Sequence, residues 1–219
     1  MWLFNSSVGR KFVMSVTGAS LVLFLLFHAS MNLVAIVSPE GYEWICEMLG
    51  ANWYALVGTA GLAFLVCVHI VYAFVLSVQN YRARGTERYA VVERQDGVEW
   101  ASKNMLALGV IIVLGMGMHL YQFWAKMQLV EILGHEPASG MELIRFTFSQ
   151  WYFAALYLVW LGALWFHLTH GVWSALHSLG WNNNTWMPRV KCIGNIVATL
   201  VALMFAAVVV YYFCTGACA

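Results

Sequence analysis

Long apolar stretches separated by short polar connections make up most of this chain. A bilayer crossing takes about 20 apolar residues, and five stretches qualify, roughly 12–37, 53–79, 104–125, 151–178 and 193–213. None of them contains Asp or Glu. Two of the connections, 38–41 and 137–140, carry the Ser, Pro and Gly residues that form turns and helix caps. The pattern predicts an all-α integral membrane protein with five transmembrane helices in a single domain over residues 1–219.

Composition points to the same class of protein. Of the 219 residues, 62% are hydrophobic and 10% are charged, and the mean hydropathy is +0.74, which excludes an ordinary soluble domain. The scarce charges lie in short connections and leave no room for an aqueous catalytic domain, so chemistry in water must occur in partner chains. No small-residue cleavage site follows the first apolar stretch, and we therefore expect it to be a retained helix.

The basic residues predict the orientation. Nine of the eleven fall on one side of the predicted topology, namely Arg10, Lys11, Arg82, Arg84, Arg88, Arg94, Lys103, Arg189 and Lys191. Only Lys126 and Arg145 fall on the other side. Because short cytoplasmic connections are enriched in Lys and Arg, we expect the N-terminus inside and the C-terminus outside.

Each of the first four stretches holds a histidine deep within its apolar sequence: His28, His69, His119 and His167. An ionisable ring in hydrocarbon is costly and marks a functional site by default. His28 and His119 lie 17 and 16 residues past the basic residues that precede their stretches, roughly 25 Å from the inner boundary at a rise of 1.5 Å per residue. His69 and His167 each lie 16 residues past a Trp on the opposite side. The four residues therefore form an outer pair and an inner pair, with layers on the order of 10 Å apart.

Paired histidines at matched depths suit the two axial positions of a heme iron. Neutral imidazole is a common metal ligand, and two axial imidazoles favour electron transfer over oxygen binding. We expect the first four helices to form a bundle around two hemes, one held by His28 and His119 and the other by His69 and His167. For a single histidine the alternative is a packing residue that bonds a neighbouring helix.

Other residues in the same helices fit this arrangement. Glycines would let a macrocycle approach the backbone, or would serve close helix packing, at Gly18, Gly58, Gly61, Gly115, Gly117 and Gly162. Donors for the inner heme's propionates are expected among Arg10, Lys11, Ser15, Thr17, Arg82, Arg84 and His170, although basic side chains also extend toward lipid phosphate. The fifth stretch has no histidine and is expected to flank the bundle.

At these residues the chain resembles the di-heme cytochrome b membrane anchor of succinate dehydrogenase and quinol:fumarate reductase, in its single-chain, five-helix form. The resemblance covers nearly the whole length. Four features carry it. Segment 15–18 ends ten residues before His28, and His69 is followed by the basic connection 82–94. The other two are segment 119–121 and segment 166–174, which leads to Gly180-Trp181. In the family pattern the fourth ligand lies four residues before a glycine, which selects His167, before Gly171, over His170.

The resemblance implies two b-type hemes, a membrane quinone as substrate, with menaquinone expected, and two partners. A flavoprotein would interconvert succinate and fumarate, and an iron-sulfur protein would dock on the inner face. It also implies a bacterial cytoplasmic membrane, leaves a dimer of complexes open, and gives no reason to expect a nucleic acid. A quinone site needs an apolar slot with polar donors, for which the outer candidates are Asn32, Glu43, Glu47, Tyr121, Gln122 and Trp124. Each of these could instead be a solvated or interfacial side chain.

Five cysteines complete the chemical inventory. They form no heme-attachment motif and no CxxC pair, so any heme is expected to be held noncovalently. Cys46, Cys214 and Cys218 fall on the outer side, where a disulfide is conceivable, but each is expected to remain unpaired.

Two other functions stay open. The chain could be the cytochrome b subunit of a different quinone-linked enzyme, such as a hydrogenase or formate dehydrogenase. It could also be a transporter in which histidines bind a metal ion or relay protons, although transporter sites favour broken helices at the midplane. A reduced-minus-oxidised absorption spectrum distinguishes heme proteins from transporters.

Overall fold

The computed structural model describes residues 6–84, 100–181 and 183–216, and these form helices without any strand. In chain order the helices are α1 (Ser7–Val37), α2 (Pro39–Met48), α3 (Trp53–Arg84), α4 (Trp100–Lys103), α5 (Met105–His119), a π-helical segment (Leu120–Leu129), α6 (Val130–Ile132), α7 (Gly140–Ser149), α8 (Trp151–Ser178) and α9 (Trp186–Gly216). Arg88 and Arg94 of the predicted basic connection lie outside the described residues.

Five helices are long and apolar enough to cross a membrane, as the sequence predicts. They are Ser7–Val37, Trp53–Ala83, Met105–Ile132, Trp151–Ser178 and Trp186–Gly216, called the first to fifth spans below. The fourth span has the predicted limits. The others are longer, because helical hydrogen bonding continues past the segment that hydropathy marks. The first span, for example, begins where the Ser6 hydroxyl accepts a hydrogen bond from the Gly9 N–H at 2.9 Å.

Capping side chains fix the helix starts in the polar connections. The Ser38 hydroxyl accepts a hydrogen bond from the Gly41 backbone N–H at 3.1 Å, with Pro39 at the first position of α2. Ser139 caps α7 through the Glu142 N–H at 3.1 Å, and the Asn183 side chain caps α9 through the Trp186 N–H at 2.7 Å. These are the oxygen acceptors that orphan N–H groups at a helix start require, so the turn-like residues of the sequence are in fact helix starts.

The fifth span packs most extensively against the fourth and also against the first and α7. Its Ala198 and Val201 are fully buried in the largest apolar cluster. At its far end the Tyr212 hydroxyl donates to the Ala35 carbonyl near the end of α1, a carbonyl that the helix itself leaves unpaired. The second span, in contrast, packs against the first and makes little contact with the third.

The short helices α2 and α7 pack on each other at one end of the molecule, called the α2/α7 end below. Glu43 of α2 accepts hydrogen bonds from the Ser139 hydroxyl and from the Met141 N–H, the latter at 2.9 Å. A carboxylate suits the positive end of the α7 dipole. At the same end of the molecule, the Glu131 carboxylate accepts a hydrogen bond from the Ala51 N–H at 2.8 Å.

Candidate functional site

His28 of α1 and His119 at the end of α5 lie next to each other. Their ring centroids are 5.9 Å apart and the ring planes are inclined by 78°. The first and third spans therefore meet through two imidazoles, and these are the two residues that depth along the sequence assigned to one layer.

His69 of α3 and His167 of α8 form the second pair. Their ring centroids are 6.5 Å apart, with planes inclined by 67°. Each histidine pair thus joins two spans that are not consecutive in the chain: first with third, and second with fourth. Both members of each pair sit within membrane-spanning segments.

The spacing within each pair fits two ligands on one metal. Metal–imidazole bonds of about 2 Å place the centroids of two opposed rings roughly 6 Å apart, and the observed values are 5.9 and 6.5 Å. In the described part of the chain no group of three or more His, Cys, Asp or Glu side chains is arranged to hold a metal ion. A heme iron needs only two protein ligands, because its macrocycle supplies the rest. The donor set therefore fits heme.

His69 has a hydrogen-bond partner on the neighbouring span. The Thr17 hydroxyl lies 3.1 Å from His69 Nδ1, and Thr17 is 5% exposed. The expectation that Thr17 serves a propionate remains untested, and the structure adds a contact with the histidine ring. His167 differs, because its Nδ1 is buried and has no hydrogen-bond partner among the described residues.

Tyr157 of the fourth span lies beside His119. Its hydroxyl donates to Gln122 Oε1 at 2.8 Å and lies 3.5 Å from His119 Nδ1, the long limit of a hydrogen bond. Tyr157 is buried, and sequence reasoning missed it because a tyrosine in an apolar stretch looks like packing. The available signal was Gln122, an amide inside a span that needs a partner.

Aromatic rings surround the pair of His28 and His119. Phe24 stacks on His28 at 5.3 Å with planes 13° apart, and Phe205 lies 5.6 Å from it. Trp160 lies 5.8 Å from His119 and donates to the Ile112 carbonyl at 3.1 Å. Phe205 belongs to the fifth span, so this span contributes to the site although it holds no histidine.

The glycines fall into two groups. A Cβ at Gly18 would lie 3.3 Å from His69 Cε1, and one at Gly115 would collide with the Trp160 indole. Around the remaining predicted glycines nothing in the described chain lies within 4 Å of an added Cβ, namely Gly58, Gly61, Gly117 and Gly162. The first group serves close packing, and the second leaves the helix surface open for an approaching group.

Apart from His170 of α8, the expected propionate donors lie in the first half of α1 and at the end of α3. Ser15 is buried, with its hydroxyl donating to the Lys11 carbonyl at 2.9 Å, whereas Lys11 and Arg82 are exposed. Arg10 is partly buried, and the Arg84 side chain lies outside the described part of the structure. His170 lies edge-on to Trp173 at 4.8 Å, so its ring packs on a different residue from the paired His167.

The candidate quinone residues differ in burial and in hydrogen-bond partners. Glu43 is bonded to the start of α7 and lines an open depression of about 290 Å³ with Glu40, Glu142 and Arg145. Asn32 donates to the His28 carbonyl at 2.8 Å and lies 3.5 Å from its Nδ1. Glu47 and Tyr121 are exposed.

Tyr121, Gln122 and Trp124 belong to the π-helical segment that begins directly after His119. Such segments are frequent at functional sites. Here the segment also presents Gln128, which is buried and accepts from Trp124 Nε1 at 2.8 Å and from the Thr59 hydroxyl at 2.9 Å. Its amide donates to the Gly50 carbonyl at 2.9 Å. Gln128, which sequence reasoning did not select, links the third span to the second span and the α2/α7 end.

The cysteines among the described residues, Cys46, Cys67, Cys192 and Cys214, are free thiols, and Cys218 lies outside that part of the chain.

Comparison of the chain with protein-family models, with curated proteins and with solved structures finds no match. The case for a function therefore rests on the residues and their geometry.

Proposed function

We propose that this chain is a di-heme cytochrome b membrane subunit that passes electrons between a membrane quinone and partner subunits in the aqueous phase. One observation carries the proposal: two histidine pairs, on four spans, have centroid separations of 5.9 and 6.5 Å. His28 with His119, and His69 with His167, would each hold one heme iron, which would supply electron transfer and leave no position open for oxygen. Two such centres stacked across the bilayer would form a path for electrons.

The chain's own residues would orient the ligands and exclude water. Thr17 contacts His69 on one side of its ring, and Tyr157 and Gln122 lie beside His119. Aromatic side chains pack against His28 and His119, as expected for a dry environment that holds rings in fixed orientations. The open surface at Gly58, Gly61 and Gly117 would accept the macrocycles.

The same proposal includes the partners and the topology. Resemblance to the succinate dehydrogenase and fumarate reductase anchors favours an iron-sulfur subunit docked on the inner face and a flavoprotein behind it. The basic residues favour an inner N-terminus; the α2/α7 end would then lie on the outer side, and the pair of His28 and His119 in the outer half of the membrane. Quinone would bind near that pair, where Asn32 and Gln122 offer polar groups, in the cytoplasmic membrane of a bacterium.

Absorption spectroscopy of the purified protein tests the proposal. We expect a low-spin b-type signal in the reduced-minus-oxidised spectrum and two hemes per chain by pyridine hemochrome assay. Affinity purification from native membranes should retain an iron-sulfur protein and a flavoprotein, and the assembly should reduce fumarate with quinol or the reverse. A chain free of heme after expression with heme supplied would reject the proposal and favour a histidine-lined transporter.

A further inference from the structure

Thr17 makes three polar contacts through one hydroxyl oxygen. Its Oγ1 lies 2.9 Å from the Val13 carbonyl oxygen and 3.1 Å from the Met14 carbonyl oxygen, both within its own helix. The third contact, at 3.1 Å, is to His69 Nδ1 on the neighbouring span. Since the side chain is 5% exposed, these contacts take the place of solvent.

The hydroxyl has one hydrogen and two lone pairs, so the direction of each bond can be worked out. Two carbonyl oxygens at about 3 Å repel a hydroxyl oxygen unless its hydrogen points toward them. The Thr17 hydrogen is therefore committed to its own helix, and only lone pairs remain for His69. The histidine must donate, which puts the ring hydrogen on Nδ1 and leaves the lone pair on Nε2.

Gly18 holds the same ring from the next position. A Cβ there would come within 3.3 Å of His69 Cε1, so the absence of a side chain lets the first span approach the ring closely. His167 has no equivalent support, since its Nδ1 is without a hydrogen-bond partner among the described residues. Within this pair, His69 is the ring whose orientation and tautomer are fixed by the protein.

We propose that Thr17 is a positioning residue for a heme ligand: it fixes His69 with Nε2 as the ligating nitrogen and makes that imidazole more electron-rich. This inference rests on the proposed function. A ligand histidine that donates its second N–H is a stronger base, and a stronger base favours oxidised over reduced iron. The hydroxyl of Thr17 thereby lowers the midpoint potential of one heme and has no effect on the other.

Redox titration of the purified holoprotein, followed by absorption and by low-spin EPR signals, tests this role. Thr17→Val removes the hydroxyl and keeps the shape, and it should shift one of the two midpoint potentials upward, with the other unchanged. Thr17→Ser keeps the hydroxyl and should retain both wild-type potentials. Ser20→Ala is the matched control, because Ser20 lies on the same helix and its hydroxyl bonds the Val16 carbonyl at 3.0 Å.

Loss of one heme in Thr17→Val, with both retained in Thr17→Ser, would also support the role, because an unsupported ligand binds more weakly. Loss of heme in both variants, or unchanged potentials and EPR signals in Thr17→Val, would overturn it. A wild-type protein with two hemes alongside an unchanged valine variant rejects this inference alone. A wild-type protein without heme rejects the proposed function and the inference with it.

Discussion

Phe205 of the fifth span lies against His28 of the first, with ring centroids 5.6 Å apart and planes inclined by 52°. Phe24 stacks on the same imidazole at 5.3 Å, so His28 is held between rings from two helices. We predict that Phe205→Ala lowers the free energy of unfolding by about 1–3 kcal/mol, less than for a fully buried phenylalanine, and weakens heme retention at this pair. Thermal unfolding in detergent and heme content measure both effects. Leu203→Ala, at a position 62% exposed on the same helix, should change neither.

Replacing His167 and His170 separately tests the choice of ligand. His167→Ala should reduce the heme content from two to one per chain, because His167 is the ring paired with His69. His170→Ala should retain two hemes, because His170 packs on Trp173. Pyridine hemochrome assay on each purified variant gives the count. If the alanine at 170 loses a heme and that at 167 does not, the assignment is reversed.

Tyr157→Phe is predicted to retain two hemes and to shift the midpoint potential of the one held by His28 and His119. The shift should be smaller than that from Thr17→Val, because the hydroxyl lies 3.5 Å from His119 Nδ1, against 3.1 Å for Thr17 and His69. The variant also leaves Gln122 Oε1 without its donor, which should cost about 1 kcal/mol of stability. Tyr152→Phe, an exposed position on the same helix, is the control for redox titration and unfolding.

Gly115→Ala should destabilise the third span and the pair that it carries. The added methyl group would collide with the Trp160 indole, which bonds the Ile112 carbonyl and packs on His119. Overpacking of this kind costs about 1–3 kcal/mol, and we expect a lower unfolding temperature and loss of one heme. Gly109→Ala on the same helix meets nothing within 4 Å in the described chain. Equal stability of the two variants would contradict the prediction.

Cys46 of α2 should resist alkylation at neutral pH. Burial raises the pKa of its thiol to about 11; the Glu43 and Glu47 carboxylates add to the increase, while a hydrogen bond with Tyr42 opposes it. Since the thiolate is the reactive form, labelling should stay slow at pH 8 and accelerate as the pH rises toward the pKa. Single-cysteine variants that keep Cys46 or the exposed Cys214, labelled with iodoacetamide at several pH values, measure the difference. Rapid labelling of Cys46 at pH 8 in the folded protein would refute the prediction.

The sequence predicts the five spans well, because a span needs about 20 consecutive apolar residues and such runs can be counted directly in the sequence. The ends of the spans are harder. Hydropathy predicts an end near residue 79 for the second span, which continues to Ala83, and a start at 193 for the fifth, which begins at Trp186. Hydropathy marks the part matched to lipid, whereas the helix ends where a cap such as Asn183 satisfies its backbone.

The candidate site likewise has a part that the sequence predicts, the pairing of the histidines, and a part that it does not, their other contacts. Depth along each helix placed His28 with His119 and His69 with His167 without any knowledge of packing, because a rise of 1.5 Å per residue converts residue number to height. Height says nothing about the rotation of a helix about its axis. The contacts of Tyr157 with Gln122 and of Phe205 with His28, and the partner of the Thr17 hydroxyl, all depend on that rotation. The π-helical segment after His119 was likewise hidden, since it alters the backbone bonding pattern and not the polarity of the sequence.

The pairing of non-consecutive spans has a consequence for biogenesis. A hairpin of neighbouring helices, such as the first with the second, contains only one histidine of each pair, so it cannot complete either bis-imidazole site. During synthesis, the site of His28 and His119 can close only once the third span has emerged, and that of His69 and His167 only after the fourth. If the proposed hemes bind at these pairs, their capture would come late in membrane insertion, and a chain truncated before α8 would complete at most one of the two sites.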